Sequence, residues 1–231
     1  MGVSVKLLRR FHLFIGLNEK EFKEIIAIAS LKRVEKEEIL FSDCEEANGF
    51  YVVLSGKVKL YKVSPEGKEQ IVQVISAPES FGEASLFLKG SHPFYAETLN
   101  DCQLFFFPKR DFHRLIKKHP RLSAKMTVAL SQCVKRYASL IEDLSLKEVR
   151  SRIAKYLLDL PLRQLKRARS TEEVELDLSR AQLASRLGTI RETFSKNLAR
   201  MKTEGIIDVK KNKVLILNRE ALEKMAAGLK V

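Results

Sequence analysis

The chain has 231 residues, 45% of them hydrophobic, enough for one large or two ordinary folded cores rather than a disordered segment. Its 42 basic and 29 acidic residues leave a net charge of +13, and the excess is denser from Glu148 onward, where 19 basic residues stand against 11 acidic ones. That balance suits a polyanion, and nucleic acid more readily than a membrane. No apolar run approaches the roughly 18 residues of a membrane span, and the N-terminal stretch lacks a signal core, which reads as a cytoplasmic protein. Cys44, Cys102 and Cys133 are widely spaced and form no CxxC pair, so reduced, at least partly buried thiols are expected rather than a disulfide framework.

Residues 5–14 read as a short amphipathic helix, and Asn18 with Glu21 forms a capping box for a second helix carrying Phe22, Ile25, Ile26 and Ala29. From Leu31 to Pro108 the period shortens. Ile39–Phe41, Gly49–Leu54, Lys57–Val63 and Gln70–Ile75 are short β-branched and aromatic runs separated by Ser55-Gly56, Pro65-Glu66-Gly67 and Ala77-Pro78. Ser55-Gly56 sits where a tight hairpin turn would, and a meander of such strands, closed as a sandwich or jelly-roll barrel, is the predicted core. A barrel of this size either holds a small molecule or fills with side chains.

After Phe105-Phe106-Phe107-Pro108 the period becomes helical again, with Phe112, Leu115 and Ile116 before His119-Pro120. Leu122, Met126, Ala129, Cys133, Tyr137, Leu140 and Leu144 then recur at threes and fours, the stripe of a long helix. That stripe is read as the seam of a self-dimer, the competing reading being that it packs on the barrel. Ser145 with Glu148 reads as a new capping box, which places a hinge near residues 143–146 and a helix through Val149, Ile153, Tyr156, Leu157 and Leu160. Gln164 to Glu173 reads as an exposed loop, and Val174 to Leu178 as a strand.

Ser179 to Glu204 carries the strongest motif. Ser179 with Gln182 caps a short helix ended by Gly188, and Thr189 with Glu192 caps a longer one that buries Phe194, Leu198 and Met201. Arg191, Glu192, Ser195 and Lys196 share an outward arc of roughly 140° at 3.6 residues per turn. Arginine can donate twice to guanine and glutamate can accept from cytosine, so this face suits major-groove readout, with Ser179, Arg180, Thr189, Arg186 and Arg200 available to phosphates. Ile206–Val209, Lys210-Lys211-Asn212-Lys213 and Val214–Leu217 form a basic-tipped hairpin, the wing of a winged helix, and Asn218 caps a last helix.

Barrel, long helix and winged helix-turn-helix in this order, with Leu54-Ser-Gly-Lys-Val-Lys-Leu60, Phe81-Gly-Glu83 and Arg191-Glu-Thr-Phe-Ser-Lys196, resemble the Crp/Fnr family of bacterial transcription regulators over nearly the whole chain. The resemblance implies an α+β protein with an effector-sensing jelly-roll barrel at 1–119, a dimerisation helix at 120–144 and a winged helix-turn-helix at 145–231. It implies a homodimer that binds a palindromic double-stranded DNA operator, a small-molecule effector, RNA polymerase where the protein activates, and no catalytic residues. Carried over residue by residue, the recognition positions fall on Arg191, Glu192, Ser195 and Lys196, where the family usually has Arg at the last. Lysine keeps the charge and lacks the bidentate fork.

The implied effector pocket comprises Phe81, Gly82, Glu83, Ser85, Phe94, Tyr95 and Tyr137. Cyclic-AMP-binding members place an Arg-Ser pair on the cyclic phosphate, where this chain has Pro93-Phe94, and a Thr-Ser pair on the adenine, where it has Tyr137-Ala138. Cyclic AMP is therefore not expected. Residues 1–43 hold no cysteine, so an iron–sulfur cluster of the oxygen-sensing kind is not expected either. A haem-dependent sensor of nitric oxide or carbon monoxide is the alternative, with His12, His92, His113 or His119 as axial ligand; an apolar or aromatic ligand among Phe81, Phe87, Phe94, Tyr95 and the long helix is another. A regulatory module acting on a protein partner is the rival from a different class. A metal-dependent jelly-roll enzyme lacks its His-x-His spacing here.

Overall fold

The computed structural model describes residues 7–9, 11–88, 90–160, 163–164 and 172–229, without the side chains of residues 85, 163 and 164. The chain divides into two compact units, Met1–Tyr137 and Ala138–Val231.

The first unit is a double sheet. Its strands are β1 (Ser30–Val34), β2 (Ile39–Phe41), β3 (Gly49–Ser55), β4 (Lys57–Val63), β5 (Glu69–Ser76), β6 (Ser80–Phe81), β7 (Tyr95–Thr98) and β8 (Cys102–Pro108). They form antiparallel sheets in the orders β1-β8-β3-β6 and β2-β7-β4-β5, the jelly-roll arrangement anticipated from strand spacing. The predicted meander is corrected, however: among the described residues of this unit, β4 and β5 are the only sequential neighbours that pair directly, through Pro65-Glu66-Gly67. Ser55-Gly56 is not a hairpin either, because β3 and β4 lie in different sheets and Gly56 turns the corner between them. Its φ of 91° lies in the left-handed region, and a Cβ there would come within 2.5 Å of the Cys102 sulfur and 2.6 Å of the Asp101 carbonyl oxygen.

Alternation along β3 explains its unbroken apolar run. Tyr51 and Val53 enter the core between the sheets with Val58, Leu60, Ile75 and Leu104. Phe50 and Val52 point the other way, against a helical layer. That layer holds α1 (Glu19–Ile28), α2 (Lys109–Lys118) and the first turns of α3 (Pro120–Leu146). A strand covered on both faces has no polar side to show. Phe50, Phe107 and Phe112 pack at 4.8–6.1 Å between ring centroids in this second core. The Asn18–Glu21 capping box is present. Of the predicted helix at 5–14, residues 7–9 are helical and 12–16 form turns, residues 1–6 and 10 lying outside the described part.

From Leu122 to Tyr137, the face of α3 predicted to be a dimer seam lies against the first unit. Leu122, Met126 and Ala129 are buried in the helical core, and Cys133 and Tyr137 line a cavity of the barrel. The helix also continues through Ser145 to Leu146, so Ser145 opens no new helix. The next helix, α4 (Val149–Asp159), has Glu148 at its N-cap without a side-chain cap bond.

The second unit contains α4, β9 (Arg163–Gln164), β10 (Glu172–Glu175), α5 (Arg180–Arg186), α6 (Arg191–Thr203), β11 (Ile207–Lys210), β12 (Lys213–Ile216) and α7 (Arg219–Ala226), the strands in the order β11-β12-β10-β9. Ile153, Leu183, Phe194, Met201, Val214 and Leu222 close its core. Gln164 and Glu172–Glu173, predicted in an exposed loop, belong to strands; residues 165–171 of that loop lie outside the described part. Glu173 is buried, paired with Lys213 at 2.8 Å. The strand predicted at Val174–Leu178 ends at Glu175, although Leu176 still donates its N–H to Asn212 at 2.7 Å.

Candidate nucleic-acid interface and effector cavity

Two short helices and a hairpin build the first site. Ser179 and Gln182 form the predicted capping box, with Gln182 N–H to Ser179 Oγ at 3.3 Å and Ser179 N–H to Gln182 Oε1 at 2.9 Å. This starts α5 and leaves Arg180 exposed on its first turn. Gly188 (φ 62°) ends the turn, and Thr189 donates its N–H back to the Ala184 carbonyl at 2.9 Å. The chain is thus still in the turn at Thr189, and the N-cap of α6 falls on Ile190, which offers no side-chain cap bond. The predicted Thr189–Glu192 capping box is therefore absent, and Glu192 is not spent on it.

Phe194, Leu198 and Met201 bury one side of α6. On the outward arc Arg191, Glu192 and Lys196 are exposed and Ser195 half-buried. Among the described residues Arg191, Glu192 and Lys196 form no ion pair. Two other arginines have partners. Arg200 pairs with Glu204 at 3.0 Å, which Arg150 also meets, and the Arg186 guanidinium lies 5.5 Å from the Tyr156 ring. Lys210, Lys211 and Asn212 are exposed at the hairpin tip, with Lys211 at a positive φ of 56°.

The second site is a cavity of about 280 Å³ inside the first unit. Strands supply Phe41, Leu60, Gln73, Ser80 and Phe81, the loop after β6 supplies Gly82, Glu83 and Ala84, the segment before β7 supplies His92, Pro93 and Phe94, and α3 supplies Leu130, Cys133, Val134 and Tyr137. Phe81, Gly82, Glu83, Phe94 and Tyr137 of the predicted pocket are thus together. Tyr95 is not with them: it stacks on Tyr61 at 5.2 Å and hydrogen-bonds Asp43. Phe87 is 49% exposed beside His113. The Ser85 side chain lies outside the described part. Sequence reasoning missed Phe41, Leu60, Gln73, Ser80 and Leu130 for this pocket, since only the double-sheet topology brings them to one place.

The cavity's polar groups are few. Glu83 is 6% exposed, and its carboxyl accepts a hydrogen bond from the Ser80 hydroxyl while burial pushes its pKa upward. His92 is 4% exposed and stacks on Phe41 with centroids 3.7 Å apart at 12°; burial pushes its pKa down, and its Nδ1 has no hydrogen-bond partner. Burial raises the Cys133 thiol and takes the Tyr137 hydroxyl to about 12. An adjoining space of about 80 Å³ shares Glu83 and Cys133 and adds His12, Gln132 and Arg136. His113 Nε2 abuts the Leu86 carbonyl, and His119 sits between Glu21 and Glu24, so neither faces the main cavity. Cys44 is exposed, contrary to expectation. Among the described residues no group of three or more His, Cys, Asp or Glu could hold a metal ion, and no helix is long and apolar enough to cross a membrane.

Residues 31–119 match the cyclic nucleotide-binding domain and residues 151–225 the Crp-like helix-turn-helix domain. The probable transcriptional regulator flp of Lacticaseibacillus casei is 31% identical over 214 residues, covering 93% of this chain and 95% of that one. The fumarate and nitrate reduction regulatory protein of Escherichia coli (strain K12) is 29% identical over 211 residues, covering 91% and 84%. Among solved structures, a CooA mutant from Carboxydothermus hydrogenoformans superposes with a TM-score of 0.77 at 23% identity, covering 95% of each chain, a likeness of fold. With a relative of this identity spanning nearly the full length of both proteins, and with an effector-type barrel ahead of a DNA-binding helix-turn-helix, the chain belongs to the Crp/Fnr family of transcription regulators.

Proposed function

We propose that the protein acts as a cytoplasmic homodimer that reads a two-fold symmetric duplex site, under the control of a small molecule held in the barrel cavity. The observation that carries DNA readout is the unspent arc of α6: Arg191, Glu192 and Lys196 are exposed, unpaired among the described residues, and project from a helix anchored by Phe194, Leu198 and Met201. Lys210 and Lys211 at the wing add phosphate contacts. In an activator, RNA polymerase would be a further partner.

Dimerisation is assigned to a different face of α3 from the one the sequence suggests. Ala124, Thr127, Ser131, Val134, Ala138, Ile141 and Ser145 are all exposed and follow one another at alternating steps of three and four. Val134 and Ile141 are 67% and 64% exposed. Thr127 and Ser131 bond their hydroxyls back to Ser123 and Thr127 carbonyls at 3.0 and 2.9 Å, so they bring no unsatisfied donor to a close helix pair.

The effector is read as neither cyclic AMP nor haem. Among the described residues no Lys or Arg lines the main cavity, and Pro93 and Phe94 cannot neutralise a phosphate. A macrocycle of four pyrrole rings exceeds a cavity less than twice the roughly 150 Å³ that holds one benzene. Because α3 both lines the cavity and carries the exposed stripe, ligand binding is proposed to bias the helix pairing, a two-state element.

The test is Arg191→Ala on a duplex selected by the wild-type protein from random sequence. Affinity for that duplex should fall by about 1 to 3 kcal/mol and affinity for random DNA by much less. Equal losses on both would overturn base readout. A module serving a protein partner instead would lack the steep fall in duplex affinity between low and moderate salt.

A further inference from the structure

We infer that Ile190 is a specificity-determining residue of the DNA-reading face, its side chain meeting the C5-methyl group of a thymine in the major groove beside the base that Arg191 reads. The inference rests on the reading of α6 as the recognition helix and adds one base and the group by which that base is recognised.

Position comes first. Ile190 is the N-cap of α6, immediately before the exposed Arg191 and Glu192. Side chains of a helix lean toward its N-terminus, and a recognition helix touches base edges with that end, so an exposed N-cap side chain leads the helix into the groove. Ile190 is 53% exposed. The core side of the helix is filled without it, by Phe194, Leu198 and Met201.

The residue type runs against the local rule. An N-cap favours a side-chain oxygen that accepts from the free N–H groups of the first turn, and isoleucine is among the poorest choices there. The same unit follows the rule at α5, where Ser179 accepts from Gln182 N–H at 3.3 Å, and at α7, where Asn218 accepts from Ala221 N–H at 3.0 Å. At α4 the N-cap is Glu148, whose charge still favours a helix start. Of these four helices α6 alone opens on an apolar side chain. A local rule broken with no gain in packing marks a position kept for function.

What an apolar side chain can recognise on a base edge is narrow. In the major groove the apolar group on offer is the thymine methyl. Arg191 and Glu192 bring hydrogen bonds suited to guanine and cytosine, so an apolar neighbour adds an A·T pair that those two do not select. Consecutive Cα atoms lie about 3.8 Å apart and stacked bases about 3.4 Å, which puts the thymine within about two base pairs of the position that Arg191 reads.

The test takes a duplex selected by the full-length wild-type protein from random sequence and replaces the thymines of one half-site singly by deoxyuridine, which removes the methyl and keeps every hydrogen-bonding group. Affinity is read by fluorescence anisotropy. One replacement, within about two base pairs of the position whose preference Arg191→Ala relaxes, should weaken binding about fourfold, the worth of one buried methyl. Ile190→Ser should abolish that loss and Ile190→Val should keep it. Serine restores a capping oxygen, so the variant folds at least as well as the wild type. Thr189→Ser removes the neighbouring methyl and should leave the loss in place. No such thymine, a loss retained in Ile190→Ser, or a loss abolished by Thr189→Ser overturns the inference. A selected sequence indifferent to uracil overturns it alone, whereas no selected sequence at all overturns base readout and the inference with it.

Discussion

The N-cap of α6 falls on Ile190, whose side chain has no oxygen to accept from the free N–H groups of the first turn. A Thr followed three residues later by Glu satisfies the capping-box pattern, yet the bond from Thr189 N–H to the Ala184 carbonyl keeps Thr189 in the preceding turn, and the cap passes to a 53% exposed isoleucine. The same pattern at Ser179–Gln182 holds because no turn competes for Ser179. Two outcomes follow. Ile190→Asp should raise stability by about 1 kcal/mol in thermal unfolding, since it supplies the missing cap at an exposed position. Glu192→Ala, which removes no cap, should leave the unfolding temperature nearly unchanged while discrimination between operator and random DNA falls by about 1 to 3 kcal/mol. A large stability loss in Glu192→Ala would return that residue to a structural role.

At the scale of elements, periodicity marks which face of a helix is apolar but not what covers it. The large side chains Leu122, Met126 and Tyr137 form the stronger stripe of α3 and are claimed by the barrel, whereas the exposed stripe, which meets the cavity at Val134, is made of Ala, Thr, Ser, Val and Ile and stands out less in a hydropathy reading. Ile141→Arg should therefore give monomers by light scattering and Cys133→Ser should not; the reverse result would restore the original seam. Gly56 shows the same limit for turns, since Ser-Gly is compatible with a hairpin or a corner and only the sheet order distinguishes them. Gly56→Ala meets both a positive φ and a Cβ collision, and should cost about 2 kcal/mol or more in denaturant unfolding.

The end of α3 carries a pH-dependent clamp. Asp143 binds Lys155 and, at 2.9 Å, Lys147; burial raises its carboxyl, and the hydrogen bonds from Lys155 and Lys147 outweigh that, leaving it below the ordinary value of about 3.9. A carboxylate lowered in the folded state stabilises above its unfolded value, and that contribution fades as pH falls through the folded one. Asp143→Asn should thus cost about 1 kcal/mol at pH 7, with the difference from wild type shrinking as pH falls below the ordinary carboxylate value and through the lowered folded one.

For the whole molecule, the order of barrel, long helix and winged helix-turn-helix was legible because each has its own period and punctuation, and the basic excess beyond Glu148 marked the DNA-binding end. The cavity was legible only in part. Phe81, Gly82 and Glu83 travel as one string, but Phe41, Leu60, Gln73 and Leu130 come from four separated elements that a jelly roll folds together, and His92, which sequence offers only as a haem axial ligand, lies flat on Phe41. Packing of distant strands is long-range information that no window of sequence contains. Selection of bound duplexes from a random library by the full-length protein decides whether paired copies of α6 read a symmetric duplex. An inverted repeat with half-sites about 10 base pairs apart centre to centre should be enriched; a single unpaired half-site, or no enriched sequence, would overturn that reading.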